Sequence, residues 1–163
     1  MSADEGLREV PGSGSTGDRS IPSVLYWDAS AVLSVLFQDS HSAEAAAWVG
    51  LDSVHLLSSL SLAETHAVIA RVHHERALAG VLVNAALESL ATGPWHLVRA
   101  VPDRDVTKSL ALRWPLRGAD LWHLALVKTL QPELPEIRLL TFDRRLGDSA
   151  FGEGLAWPVA IGL

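Results

Sequence analysis

The chain has 163 residues, no cysteine, a formal net charge of −6 and 48% hydrophobic residues. That length and apolar content suit one domain with a sizeable core. The missing cysteine excludes disulfides and thiolate metal sites and agrees with a cytoplasmic location, and the negative charge excludes a broadly basic surface that coats nucleic acid, leaving room only for a local basic patch.

The opening MSADEGLREVPGSGSTGDRS (1–20) is rich in Gly, Ser and charge with little to bury, so it reads as a flexible tail before a domain over 21–163. It lacks the basic-then-apolar layout of a secretory signal. Its GSGSTG lacks the Lys and the spacing of a P-loop. No apolar run is long and uncharged enough to span a bilayer, so no membrane is expected among the partners.

VLYW (24–27) is a short apolar strand, and SAVLSVLF begins a helix. After QDSHS a second helical pattern runs through AEAAAWVG, with Ser42 as the expected N-cap and Gly50 as the stop. SVHLLSS (53–59) is the next strand. SLAETHAVIARVHHERA is helical, with Leu62, Val68, Ile69 and Val72 near one face. Gly80 separates it from VLVNAALESLAT, which Gly93-Pro94 ends. WHLVRAV (95–101) is a strand, and DVTKSLALRW a helix stopped before Pro115. ADLWHLALVKTL is a helix stopped before Pro132, IRLLTF (137–142) a buried strand, DRRLGDSA a short helix and WPVAI (157–161) a last strand. Strands alternating with helices predict an α/β fold, an α/β/α sandwich with a mainly parallel central sheet. In such sheets ligands bind at the carboxyl ends of the strands, near a switch in strand order.

Acids gather at those ends. Asp28 follows VLYW, Glu64 lies one turn into the helix after SVHLLSS, and Asp143 follows IRLLTF, while Asp120 opens the helix ADLWHLAL. Each alone reads as a helix cap or a dipole partner, and Ser61 to Glu64 fits a capping box. Caps do not explain why these helix starts share one rim. Carboxylates gathered there repel unless a cation sits among them. Oxygen ligands without cysteine suit Mg²⁺ or Mn²⁺, ions that commonly assist phosphate-ester hydrolysis.

WDASAVL, SSLSLAE, LRGADLWHLAL and LLTFDRRL, in this order and on these elements, resemble the PIN domain, and specifically the VapC-like toxins of type II toxin–antitoxin pairs. The resemblance runs over about residues 23–161. It implies a PIN-like fold and a Mg²⁺- or Mn²⁺-dependent endoribonuclease that hydrolyses RNA phosphodiesters, with Asp28, Glu64, Asp120 and Asp143 as catalytic and metal-holding residues. Ser30 and Thr141 match hydroxyl positions that would support the acids by hydrogen bonds. An antitoxin partner and a homodimer are also implied, the latter in keeping with the apolar excess at Val81, Leu82, Val83 and Leu87. The rival from another class is a catalytically silent PIN-like module that only binds a protein partner.

Arg117, Arg144 and Arg145 are the candidate contacts for RNA or antitoxin near the rim. Arg71, His73, His74 and Arg76 read as a solvated helix face. His66, His73 and His74 form no H-E-x-x-H zinc motif. His123, three residues after Asp120, reads as an oriented, half-buried histidine, and Trp27 and Trp122 as core packing. A HAD-type phosphatase would need a second Asp where Ser30 stands. A receiver domain would need a Lys at a late strand end, but Lys108 and Lys128 both lie in helices.

Overall fold

The run VLYW carries no charged residue because both of its faces are covered. As β1 (Val24–Trp27), it sends Leu25 and Trp27 into one core and Tyr26 into another, as the two-residue period of a strand requires. The computed structural model describes residues 22–156. The tail expected at 1–20 and the strand expected at 157–161 therefore lie outside the described residues.

The first core joins Leu25 and Trp27 to Val32 of α1 (Ala29–Leu36), Trp48 of α2 (Ser42–Val49), Ile69 of α3 (Ser59–His74) and Val83 of α4 (Gly80–Thr92). The second joins Tyr26 to Leu110 of α5 (Arg104–Arg113), Leu124 of α6 (Gly118–Leu130) and Leu146 of α7 (Arg144–Gly152). Helices thus cover both faces of the sheet. Its strands β2 (Val54–Ser58), β3 (Trp95–Val98) and β4 (Ile137–Leu140) complete the order β3-β2-β1-β4, with every pairing parallel.

The chain steps from β1 to β2 to β3, then returns to lay β4 on the other side of β1. Strand order therefore reverses between β1 and β4. Trp27 pairs with Leu140 in register, so the chain leaves both strands at one level. α1 departs into the first core and α7 into the second, which opens a crevice between the two loops.

Several boundaries differ from the sequence reading, each for a polar reason. β4 stops at Leu140 because the Phe142 amide donates to Ser30 Oγ and Thr141 Oγ1 to Asp28. α3 begins at Ser59, with Ser58 as its N-cap, so the expected strand 53–59 ends earlier. Ser42 is not the cap of α2: it is the first helical residue, and its Oγ binds the Asp39 amide and the Phe37 carbonyl in the preceding turn. Gly50 closes that helix as expected. α5 starts at Arg104 because Asp103 accepts from the amides of Asp105 and Val106. Trp27 lies wholly in the core, and Trp122 of α6 is half-buried against the second core. Among the described residues no helix is long and apolar enough to cross a membrane.

Candidate metal centre at the sheet reversal

Asp28 is the first residue past β1, and it caps α1 by accepting from the Ala31 amide at 2.9 Å. The cap uses Oδ1, which also accepts from Ser30 Oγ at 2.7 Å. Oδ2 accepts from Thr141 Oγ1 at 2.7 Å. Donors on both oxygens immobilise a carboxylate that is only 5% exposed. Burial pushes its pKa above the ordinary 3.8, and the bonds from Thr141, Ala31 and Ser30, with the nearby His123, oppose that rise without cancelling it.

Thr141 also ties Asp28 to the next acid, since its Oγ1 accepts from the Asp143 amide at 3.0 Å. Asp143 caps α7 through Oδ1, which takes the Leu146 amide at 3.0 Å, and its side chain is exposed. Asp120 lies in the first turn of α6. Burial is the largest cause raising its pKa, followed by the charge of Asp143; Glu64 adds to the rise, while His123 and Arg117 oppose it. Asp120 is therefore within electrostatic reach of Asp143 and Glu64.

Glu64 does not close a capping box with Ser61. Ser58 is the cap and accepts from the Ser61 amide at 3.0 Å, and Ser61 Oγ donates to the Trp27 carbonyl at 2.9 Å. Glu64 instead accepts from His123 Nε2 at 2.8 Å. His123 is not half-buried: it is 2% exposed, and its Nδ1 lies 2.7 Å from the Tyr26 hydroxyl. Tyr26 in turn donates to Ser58 Oγ at 2.7 Å. Burial pushes the Tyr26 phenol up to about 12, with Asp28 and Glu64 adding to the rise, so it stays protonated.

The sequence alone placed Tyr26 and Ser58 within strands and Ser61 in a capping box. The signal for them was faint: a hydroxyl two residues before Asp28, and a histidine one turn after Asp120 on the same helix face.

Of the candidate cations, Arg117 occupies the N-cap position of α6, and its charge acts on Asp120. Arg144 is exposed and lies 3.9 Å from Asp148, one turn along its own helix. Arg145 borders a groove with Trp114 and Pro115. Arg71, His73, His74 and Arg76 are exposed, in keeping with a solvated face.

The acidic donors are carboxylate oxygens only, which suits Mg²⁺ or Mn²⁺. The upward push that Asp143 and Glu64 exert on Asp120 is the repulsion a cation would relieve. Among the described residues no three His, Asp or Glu side chains gather closely enough to hold an ion alone.

The family model described as PIN domain matches residues 25–152. Comparison with curated proteins gives no match. The match runs from the second residue of β1 to the end of α7 and includes all four acids, and so the chain belongs to the PIN domain family, whose members are generally metal-dependent nucleases.

Proposed function

We propose that this protein is a Mg²⁺- or Mn²⁺-dependent endoribonuclease, and the toxin of a VapC-like toxin–antitoxin pair acting in the cytoplasm. The observation that carries the reading is the linkage of the acids at the strand-order reversal. Thr141 joins Asp28 to Asp143, and the charges of Asp143 and Glu64 add to the upward push that burial already gives the Asp120 carboxyl.

In this reading Asp28, Asp120 and Asp143 hold the ion, and Glu64 completes the set or orients the attacking water. When bound, the ion activates water and stabilises charge on the phosphate oxygens. The chain's own residues do the positioning. Ser30 and Thr141 keep Asp28 from turning, because each commits its proton to one carboxylate oxygen. Exposed Arg117, Arg144 and Arg145 would meet the RNA backbone or an acidic segment of the antitoxin. The antitoxin would silence the enzyme by covering this crevice. The homodimer would form through the outer face of α4, where Val81 is 72% and Leu82 52% exposed.

The test is cleavage of total cellular RNA by purified protein with Mg²⁺, Mn²⁺ or EDTA, beside Asp28→Asn protein. Discrete fragments that require both metal and Asp28 support the nuclease. A folded protein that cleaves nothing in any lane points to the interaction module instead. Cleavage by Asp28→Asn protein at the wild-type rate removes the site assignment.

A further inference from the structure

We propose that His123 is a positioning residue that holds the Glu64 carboxylate at the rim and is itself seated on Tyr26. The inference rests on the reading of Glu64 as part of the metal-holding set.

An imidazole is an expensive choice at this point of α6. His123 is followed by Leu124, Ala125, Leu126 and Val127, all buried, and it is as buried as they are. An apolar residue would fill the space with no polar atom to satisfy. The imidazole persists there with both nitrogens engaged, Nδ1 at 2.7 Å from Tyr26 Oη and Nε2 at 2.8 Å from Glu64 Oε2. The direction of the second bond is set by chemistry: a carboxylate accepts, so Nε2 donates.

The far end of the chain of contacts is rigid. Tyr26 is fully buried in β1, its hydroxyl donates to Ser58 Oγ, and Ser58 and Ser61 lie 3.0 Å apart at the start of α3. The Trp122 indole stands edge-on to the His123 ring at 5.7 Å and 88°. The ring is thus fixed by the core, whereas Glu64 is 34% exposed at its side chain and, as a long flexible acid on a helix, would otherwise sample several rotamers. His123 brings the order of the core out to the one partly exposed acid of α3. It belongs to the same helix as Asp120, one turn on, so α6 both supplies one acid and aims another.

The experiment compares His123→Gln, His123→Leu and Tyr26→Phe/His123→Leu with wild type, each also in a Glu64→Ala background. Mn²⁺ affinity by electron paramagnetic resonance and RNA cleavage are the readouts, with thermal unfolding as the fold check. The double variant removes the facing polar atoms together, so it stays folded if the single Leu variant does not. His123→Leu, or the double variant in its place, is expected to weaken Mn²⁺ binding and cleavage by roughly 10–100-fold. His123→Gln, which can still offer an N–H, recovers part of the loss. In the Glu64→Ala background the His123 substitutions change neither readout further, because a residue acting through Glu64 has nothing left to hold. Losses that add fully in that background overturn the proposal, as do wild-type affinity and cleavage in the folded Leu variants. If wild type itself neither binds Mn²⁺ nor cleaves RNA, the nuclease reading falls and takes this one with it. Wild-type activity that His123→Leu leaves unchanged removes only this proposal.

Discussion

Asp28 is a helix cap and a candidate metal ligand through one carboxylate. Capping uses Oδ1, which also takes the Ser30 hydroxyl, and Oδ2 takes the Thr141 hydroxyl. Burial raises its pKa, so the folded protein holds this proton more tightly than the unfolded chain does. The sign follows: as pH climbs past the ordinary 3.8, the unfolded carboxyl ionises first and the metal-free fold loses stability. Asp28→Asn is exempt from that loss. Its melting temperature without metal should exceed that of wild type by a margin that grows from acid toward neutral pH, and Mn²⁺ should raise only the wild type. A margin that shrinks as pH rises would mean the carboxylate is stabilised by its donors more than burial costs it. The same variant should lose well over the roughly 10–100-fold expected for an outer partner. Thr141→Val keeps the shape but removes the hydroxyl that joins Asp28 to Asp143, and cleavage should fall by roughly 10-fold with little change in melting.

At the scale of elements, three helices on the second face are clamped by one acid just past α7. Glu153 accepts from Arg113 Nη1 at 2.5 Å and Trp114 Nε1 at 2.9 Å, and Lys128 Nζ lies 3.3 Å away. Burial acts to raise its pKa, yet the bonds from Trp114, Arg113 and Lys128 and the Arg113 charge outweigh it and hold the carboxyl below its ordinary 4.5. A depressed acid contributes stability that is present above its unfolded pKa and lost as pH falls through the folded one. Glu153→Gln should therefore cost about 1–2 kcal/mol near neutral pH, and urea titrations should show that gap closing in acid. An equal gap at all pH values would assign the cost to shape rather than charge. Ser58→Ala should cost about 1–2 kcal/mol, since the side chain caps α3 and also receives the Tyr26 hydroxyl.

For the whole molecule, the question is which surface is left uncovered. α4 buries Val83, Ala86 and Leu90 but leaves Val81, Leu82 and Leu87 to solvent, and Leu97 of β3 is 50% exposed beside it. Analytical ultracentrifugation should give the mass of two chains for wild type and of one chain for Leu82→Asp, with the fold intact because that side chain is outside the core. A single-chain mass for wild type at micromolar concentration would remove the dimer. Gly93 limits the same region from within. A Cβ there would strike the Trp95 indole, which stands edge-on to Trp27 at 5.2 Å, so Gly93→Ala should destabilise the fold by roughly 1–3 kcal/mol.

The alternation of apolar runs and helical periods determined the parallel sandwich from the sequence alone, because strands covered on both faces must be apolar throughout and helices must show one apolar stripe. VLYW and ADLWHLAL carry that message in their own residues. Asp28, Asp120 and Asp143 stood out for a related reason: strand ends and helix starts are local features, and each of the three sits on one, whereas Glu64 lies beyond the first turn of α3. What local pattern could not decide was the use of each polar atom. Whether Ser61 capped its helix or reached the Trp27 carbonyl, and whether Glu64 folded back or met His123 from another helix, depended on contacts between residues far apart in the chain. Only the packing of α6 against β1, which buries Tyr26 and His123 in one core, brought those partners within hydrogen-bonding distance.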